Sequence, residues 1–197
     1  MSFRLGLTGS IGMGKSTTAR LFAEAGCAVW DADAAVHRMY AAGGVAVAPI
    51  AAALPGAVVD GAVSRERLKE MIAADPAVLR TLEQIVHPLV AEDRAAFARA
   101  ASADIVVFDI PLLFEGGSET MMDAVVCVSV PPEEQRKRVL ERGTMTLAQF
   151  EQILAKQMPN AEKCARADYV VVTDTLDHAR AQVREIVETI RGRNSDA

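Results

Sequence analysis

The residues best suited to chemistry lie close to the N-terminus, in the segment GSIGMGKS that begins at Gly9. A glycine at position 14, followed at once by Lys15 and Ser16, completes the spacing of a loop that wraps a nucleotide phosphate. Glycines let backbone N–H groups point at the phosphate, and the following helix adds the positive end of its dipole. Because lysine can bridge two phosphates and the serine hydroxyl can ligate Mg²⁺, we predict a site for ATP and Mg²⁺. The predicted loop comprises Gly9, Ser10, Ile11, Gly12, Met13, Gly14, Lys15 and Ser16.

Two carboxylates follow the second predicted strand, in the segment VWDAD that ends at Asp33. Ligands of open parallel sheets bind at the carboxyl ends of the strands. A carboxylate at that position can accept the proton of a hydroxyl that receives a phosphoryl group, and we favour Asp33 for this role. The alternative is that Asp33 caps the helix that follows, since aspartate is a preferred N-cap residue, and the two roles are compatible.

A further carboxylate ends the buried-strand pattern IVVFD at Asp109. Its position along the chain is that of a Walker-B carboxylate, which holds Mg²⁺ directly or through water. We therefore predict Ser16 and Asp109 as metal ligands. The alternative for Asp109 is a simple cap at the end of the strand.

Residues 133–167 form a charged, helical segment that we interpret as a mobile lid. Arg138 and Arg142 are four residues apart, hence on one helix face, and could close on the ATP phosphates. Gly143, next to Arg142, marks a hinge. The alternative is a solvated charged helix. The basic residues of the segment are Arg136, Lys137, Arg138, Arg142, Lys156, Lys163 and Arg166.

The phosphate loop by itself does not define the reaction, because motors, switches and kinases all use one. Guanine-specific switches need an Asn/Thr-Lys-x-Asp motif, and none of the lysine contexts GKST, LKEM, RKRV, AKQM and EKCA fits it. A small-molecule kinase is the most economical interpretation. Two alternatives stay open at this point, a nucleoside or nucleoside-monophosphate kinase and a regulatory module that binds ATP without catalysis.

Short apolar runs alternate with helical patterns, which predicts an α/β fold of three layers, a parallel sheet of about five strands flanked by helices. The predicted strands are 3–7, 28–31, 105–109, 124–130 and 169–172. The predicted helices are 15–25, 33–41, 64–74, 76–100, 132–141, 147–157 and 176–190. Some seventy residues separate the second and third strands, too many for one crossover helix, so we interpret them as an inserted substrate domain.

The composition restricts the partners. A net charge of −5 disfavours broad nucleic-acid binding. No run approaches the length of a membrane span, and the N-terminus lacks the pattern of a signal peptide, so we expect no membrane partner and a cytoplasmic location. The three cysteines fit neither a disulfide framework nor a zinc site, and Cys27 and Cys127 are predicted core residues. We expect a monomer or weak homo-oligomer.

Taken together, the motifs resemble those of the dephospho-coenzyme A kinases, a P-loop kinase family that phosphorylates the ribose 3′-hydroxyl of dephospho-CoA. The resemblance extends along nearly the whole chain. It rests on GLTGSIGMGKST, DAD, SRERL, HPLV, DIPLLFE, QRKRVLERGTMT, AKQM and ARADYVV, in this order. It implies the P-loop NTPase fold, ATP and Mg²⁺ as cofactors, and dephospho-CoA as substrate, in the final step of coenzyme A biosynthesis.

The resemblance also implies roles for residues. Gly12, Gly14, Lys15, Ser16 and Thr17 would bind ATP and Mg²⁺, Asp33 would be the general base, and Arg142 would be the lid arginine that meets the phosphates. The implied parts of the CoA-substrate site are Arg65, His87, Pro111, Leu112, Leu113 and Glu115. From the residues alone, a lone histidine such as His87 more often packs than catalyses.

One domain over residues 1–197 is implied, with three parts. The nucleotide core would take about 1–31, 104–132 and 168–190, the helical CoA subdomain about 32–103, and the lid about 133–167. Two departures stand out. Cys164 occupies a position where many members carry a basic residue, so a lid charge is missing. The loop after the last strand reads TDTLD, so adenine contacts cannot be assigned to side chains.

Overall fold

The computed structural model describes residues 2–195. Residues 31–100 form one compact unit, and the rest of the described chain forms another. Short 3₁₀ turns lie at Pro55–Ala57 and Ser118–Met121. The helices and strands are β1 (Phe3–Thr8), α1 (Lys15–Glu24), β2 (Ala28–Asp31), α2 (Ala32–Tyr40), α3 (Val47–Ala53), β3 (Val58–Val59), β4 (Ala62–Val63), α4 (Arg65–Ala74), α5 (Ala77–Ala100), β5 (Ile105–Asp109), β6 (Ala124–Ser129), α6 (Pro132–Glu141), α7 (Leu147–Lys156), α8 (Asn160–Arg166), β7 (Tyr169–Val172) and α9 (Leu176–Ser195).

Five strands form one sheet in the order β2-β5-β1-β6-β7. β1 pairs in parallel with both β5 and β6, and β6 pairs in parallel with β7. The two strands beside β1, β5 and β6, are runs of valine and other apolar residues, as expected for strands that helices cover on both faces. The predicted parallel sheet of five strands is confirmed.

Two apolar clusters cover the two faces of this sheet. Val126 of β6 belongs to a core cluster that includes Phe22 of α1 and Ile190 of α9. Its neighbour Val125 belongs to a second cluster with Leu113. Because successive strand side chains point to opposite faces, the two clusters lie on opposite sides of the sheet and complete the three predicted layers.

The register of the sheet sets the ends of the central strands level with one another. Leu7 of β1 lies opposite Asp109 of β5 on one side and opposite Val126 of β6 on the other. The chain enters the glycine-rich loop two residues after Leu7. The end of β5 therefore places a carboxylate at the edge of the sheet where this loop begins.

The unit of residues 31–100 contains four helices and a small hairpin. β3 and β4 are antiparallel. Their turn has Asp60 at φ 50° and Gly61 at φ 77°, the left-handed pair that suits a tight hairpin. Met39, Ile50 and Leu68 are among its buried apolar side chains.

The sequence patterns missed two helices. α3 lies in an alanine-rich stretch for which no helix was predicted. Pro49 is the third residue of α3, in the first turn, where proline is tolerated. α8 lies inside the predicted lid, where only two helices were expected. In residues 2–195, no helix combines the length and the apolar character that crossing a bilayer requires.

Candidate active site

The glycine-rich loop connects β1 to α1, and two of its glycines hold conformations that other residues rarely adopt. Gly12 has φ 78° and Gly14 has φ 94°. A Cβ atom on Gly14 would lie 2.8 Å from Thr173 Oγ1, and one on Gly12 would lie 3.2 Å from the carbonyl oxygen of Gln135. The loop thus needs glycine at both positions, for backbone angle and for space. No side chain caps the N-terminus of α1, as expected where a phosphate binds.

Lys15 and Asp109 form an ion pair behind this loop. The Asp109 side chain is only 2% exposed, and that of Lys15 is 15% exposed. A carboxylate buried to this degree requires a charged partner. The pair brings together two residues that the sequence predicted separately, the loop lysine and the metal-site carboxylate.

Ser16 and Thr17 lie in the first turn of α1 and are exposed. Their hydroxyls are accessible to a ligand at the N-terminus of this helix. Across residues 2–195, no three His, Cys, Asp or Glu side chains cluster as a metal centre. Ser16 and Asp109 stay the predicted protein ligands for Mg²⁺, an ion that often keeps several waters and uses few protein ligands.

Several side chains from later in the chain hold the backbone of the loop, among them Gln157, which accepts from the backbone N–H of Ile11 at 3.4 Å. Gln135 donates to the carbonyl oxygen of Ile11 at 2.7 Å, and Thr173 donates to that of Met13 at 2.6 Å. Asn160 accepts from the backbone N–H of Ser10 at 3.0 Å. Sequence reasoning missed these roles, because no spacing rule links residues so far apart. The amides and the hydroxyl are small polar groups that only the tertiary fold brings to the loop.

Arg138 has partners other than the predicted phosphates. Its guanidinium donates to Thr173 O at 2.8 Å, to Thr173 Oγ1 at 3.2 Å and to Glu134 Oε1 at 2.9 Å. It therefore ties α6 to the loop that follows β7. Arg142 caps the C-terminal end of α6 and is exposed, and Gly143 follows with φ 65°. The phosphate-binding role of Arg142 stays a prediction.

The segment after β5 is held by a buried ion pair. Lys163 is 0% exposed, and its ammonium lies 2.8 Å from Glu115 and 3.0 Å from the carbonyl oxygen of Pro111. Glu115 also accepts from the backbone N–H of Met158 at 2.9 Å. Burial raises the pKa of Glu115, but the hydrogen bonds from Lys163 and Met158 outweigh burial and hold the pKa below its usual range. Glu115 is thus engaged with the protein itself.

The two leucines of this segment differ in exposure. Leu112 is 48% exposed, whereas Leu113 is 0% exposed and packs with Phe114 and Val125. In this conformation the Leu113 side chain is out of reach of a ligand, and Leu112 presents an apolar surface.

Three predicted residues lie in the unit of residues 31–100. The cap of α2 is Asp31, whose carboxylate accepts from the backbone N–H of Ala34 at 2.9 Å. The suggestion that Asp33 caps this helix is therefore wrong, because the helix begins at Ala32. Asp33 lies exposed in its first turn.

Arg65 and His87 belong to the same unit. The Arg65 guanidinium lies 5.8 Å from the centre of the Tyr40 ring. Burial raises the pKa of Tyr40, and the charge of Arg65 opposes this effect. His87 is exposed on α5 and lines a cavity of about 360 Å³, so its side chain is accessible, and its place in the CoA-substrate site stays a prediction. The other cavity-lining residues are Arg80, Glu83, Gln84 and Pro88.

The cysteines are free thiols, and Cys27 and Cys127 are buried as predicted. Cys164 of α8 lies with its sulfur 3.5 Å from that of Cys127 on β6. The position at which a lid charge was expected thus faces the sheet.

A glycine loop from strand to helix, with a buried lysine–aspartate pair at the end of a parallel sheet, defines a P-loop NTPase fold. The family model of dephospho-CoA kinase matches residues 3–177. A dephospho-CoA kinase of Ruegeria pomeroyi is 71% identical over 197 residues, and the alignment covers 100% of this chain and 100% of that protein. The chain belongs to the dephospho-CoA kinase family.

Two solved structures agree with this fold. The crystal structure of TT1252 from Thermus thermophilus superimposes with a TM-score of 0.86 at 31% identity, over 95% of this chain and 97% of that one. A dephospho-CoA kinase from Campylobacter jejuni gives a TM-score of 0.70 at 22% identity, over 98% of this chain and 100% of that one.

Proposed function

We propose that the protein transfers the γ-phosphoryl group of ATP to the ribose 3′-hydroxyl of dephospho-CoA, giving coenzyme A and ADP. The observation that carries the proposal is the combination of family membership over most of the chain with an intact phosphate loop. The transfer itself makes three demands on the protein, namely a held nucleotide, an oriented hydroxyl and neutralised charge on the transferring group.

The residues of the loop fit a triphosphate with Mg²⁺. Gly12 and Gly14 leave a concave backbone that a Cβ would disturb, and α1 begins without a side-chain cap. Lys15 would contact the β- and γ-phosphates, and Ser16 and Asp109 would hold the metal ion. The chemistry that the metal ion would supply there is neutralisation of part of the phosphate charge.

The residues that would bind and activate the acceptor are the ones that the family resemblance implies. Asp33 would accept the proton of the 3′-hydroxyl, and its exposed carboxylate in the first turn of α2 is accessible for that role. Arg142 would meet the phosphates during transfer, and Arg65, His87 and Leu112 would contact dephospho-CoA. Glu115 and Leu113 would hold the segment after β5 in place, Glu115 through its ion pair and Leu113 through its apolar packing.

An acceptor panel tests the proposal. The purified protein with ATP and Mg²⁺ is offered dephospho-CoA, AMP, CMP or adenosine, and ADP release is followed by a coupled assay. We expect dephospho-CoA to be the preferred acceptor. Phosphorylation of a nucleotide or nucleoside, and not of dephospho-CoA, would overturn the proposal in favour of a nucleotide kinase. ATP binding without turnover of any acceptor would indicate a regulatory module.

The remaining expectations concern the cell and the assembly. We infer from the net charge that the protein has no nucleic-acid partner. A cytoplasmic site of action, no membrane partner and a monomer or weak homo-oligomer belong to the same proposal.

A further inference from the structure

One amide side chain joins the phosphate loop to two other elements. Asn160 is the first residue of α8. Its Oδ1 accepts from the backbone N–H of Ser10 at 3.0 Å, and its Nδ2 donates to the carbonyl oxygen of Val128 and to Ser129 Oγ, each at 3.2 Å. A loop backbone, the end of β6 and the start of α8 therefore meet at a single side chain.

The polarity of these partners requires an amide in this orientation. The N–H of Ser10 can only donate, so it must face the oxygen of Asn160, and the carbonyl of Val128 can only accept, so it must face the nitrogen. Leucine has a similar shape but satisfies neither group. Aspartate keeps the oxygen toward Ser10 and loses the donor toward Val128.

The contact falls at a sensitive point of the loop. Ser10 is 3% exposed, and its carbonyl oxygen accepts from the backbone N–H of Met13 at 3.2 Å. Residues 10–13 thus form a turn, and Asn160 holds its first N–H. Without Asn160, a buried donor loses its acceptor, and the turn that leads to Gly14 loses one of its fixed points.

α8 itself is anchored independently of Asn160. Lys163 pairs with Glu115 at 2.8 Å, and Arg166 pairs with Glu119 at 2.7 Å. Because these two ion pairs fasten the helix to the segment after β5, a change at position 160 is expected to leave α8 in place and to act on the loop.

We propose that Asn160 is a positioning residue for ATP, which acts through Ser10 to hold the phosphate loop in its receiving conformation. The inference rests on the proposed function, and it assigns the C-terminal part of the predicted lid to the nucleotide site. Asn160 touches no reacting atom in this account. Its effect should appear in the binding of the phosphates and not in the binding of dephospho-CoA.

The test is to replace Asn160 and measure nucleotide binding by calorimetry without an acceptor. For Asn160→Leu we expect ATP with Mg²⁺ to bind about tenfold more weakly, as for a buried donor left without its acceptor, while adenosine, which has no phosphate, binds unchanged. In steady-state kinetics, KM for ATP should rise and KM for dephospho-CoA should not. Asn160→Ala, which removes the acceptor without adding bulk or charge, should weaken the binding of ATP by a similar factor.

Gln149→Leu is the matched control. Gln149 is also an amide in the predicted lid, and it accepts from the backbone N–H of Thr146 at 2.8 Å. Its hydrogen bonds with Thr146 lie within α7 and its N-cap and do not reach the phosphate loop. We expect this variant to bind ATP like the wild type.

Unchanged ATP affinity in folded Asn160→Leu, or equal weakening for ATP and adenosine, would overturn the inference. If Asn160→Leu fails to fold, Asn160→Ala decides, since unchanged ATP affinity in that variant contradicts the role of the oxygen. Turnover of dephospho-CoA by the wild type is measured separately, so a failure of the proposed function is distinguishable from a failure of this inference.

Discussion

Some side chains would contact the reactants, and others hold the structure around the site. Lys15 and Asp109 form a pair at the phosphate loop, whereas Asp33 stands exposed in the first turn of α2. Lys163, although it lies in a segment predicted as a basic lid, is completely buried. A charged residue type alone therefore does not tell a catalytic side chain from a structural one.

Asp33→Asn tests the proposed base. We expect nearly unchanged ATP affinity and a decrease in kcat by a factor of about 10² or more, the usual contribution of a general base. Asp31→Asn is the control, because asparagine also caps helices and should leave kcat unchanged. Calorimetry and steady-state kinetics give the two numbers. Unchanged turnover in Asp33→Asn would remove this carboxylate from the mechanism.

Glu115→Gln tests the buried ion pair. The change leaves the Lys163 ammonium without a balancing charge, and we expect a loss of about 2 kcal/mol in the free energy of unfolding at pH 7. Glu115→Gln combined with Lys163→Met should recover part of that loss. Urea denaturation measures all three proteins. Equal stability of wild type and Glu115→Gln would show that the pair is not stabilising.

The same pair predicts a pH dependence. Because the folded pKa of Glu115 lies below its unfolded value of 4.5, the unfolded chain takes up the proton first as pH falls. The stabilisation is thus complete well above pH 4.5 and is lost as pH falls below it through the folded pKa. Denaturation of wild type and Glu115→Gln across this range should show the difference shrinking toward acid pH; a constant difference would contradict it.

At the scale of elements, α8 is closely packed on β6. Cys164 of α8 lies over Cys127 of β6, with the sulfurs 3.5 Å apart. Burial and the neighbouring Cys164 thiol raise the pKa of Cys127 well above its usual range, so this thiol stays protonated at neutral pH. We expect iodoacetamide to modify Cys164 well before Cys127, as peptide mass spectrometry would reveal. Cys127 modified at an equal rate would mean that α8 readily leaves the sheet.

The sequence predicted the sheet better than the contacts at its edge. β5, β6 and β7 follow from their runs of valine and isoleucine, which are typical of a sheet covered on both faces, and β1 and β2 from short apolar segments beside helical patterns. α3 was missed because proline and glycine in an alanine-rich stretch suggested turns. The cap of α2 is Asp31, whereas the sequence offered Asp33 as an alternative cap, since aspartates at both positions are equally good caps by type. The preference of aspartate for the N-cap position does not by itself show which of two nearby aspartates caps the helix.

The phosphate loop shows the same limit. Its glycines and lysine could be identified from spacing, because they act within one loop and the first turn of one helix. Asn160, Gln135 and Thr173 could not, because each reaches the loop across more than a hundred residues of chain. Only the packing of α6, α8 and β7 around β6 and the loop brings them there.

At the scale of the whole molecule, family membership and the phosphate loop support one account. The family model covers residues 3–177, and this range contains both Lys15 and Asp33. The account requires that one chain bind ATP with Mg²⁺ and pass a phosphoryl group to a ribose hydroxyl. Its central claim is therefore the identity of the acceptor atom.

The most direct measurement is the product formed from ATP, Mg²⁺ and dephospho-CoA, identified by mass spectrometry and phosphorus NMR, with 3′-deoxy-dephospho-CoA as control. The account predicts coenzyme A and ADP in equal amounts, and no phosphorylated product from the 3′-deoxy compound. Phosphorylation of the 3′-deoxy compound, or ADP formed without coenzyme A, would contradict it.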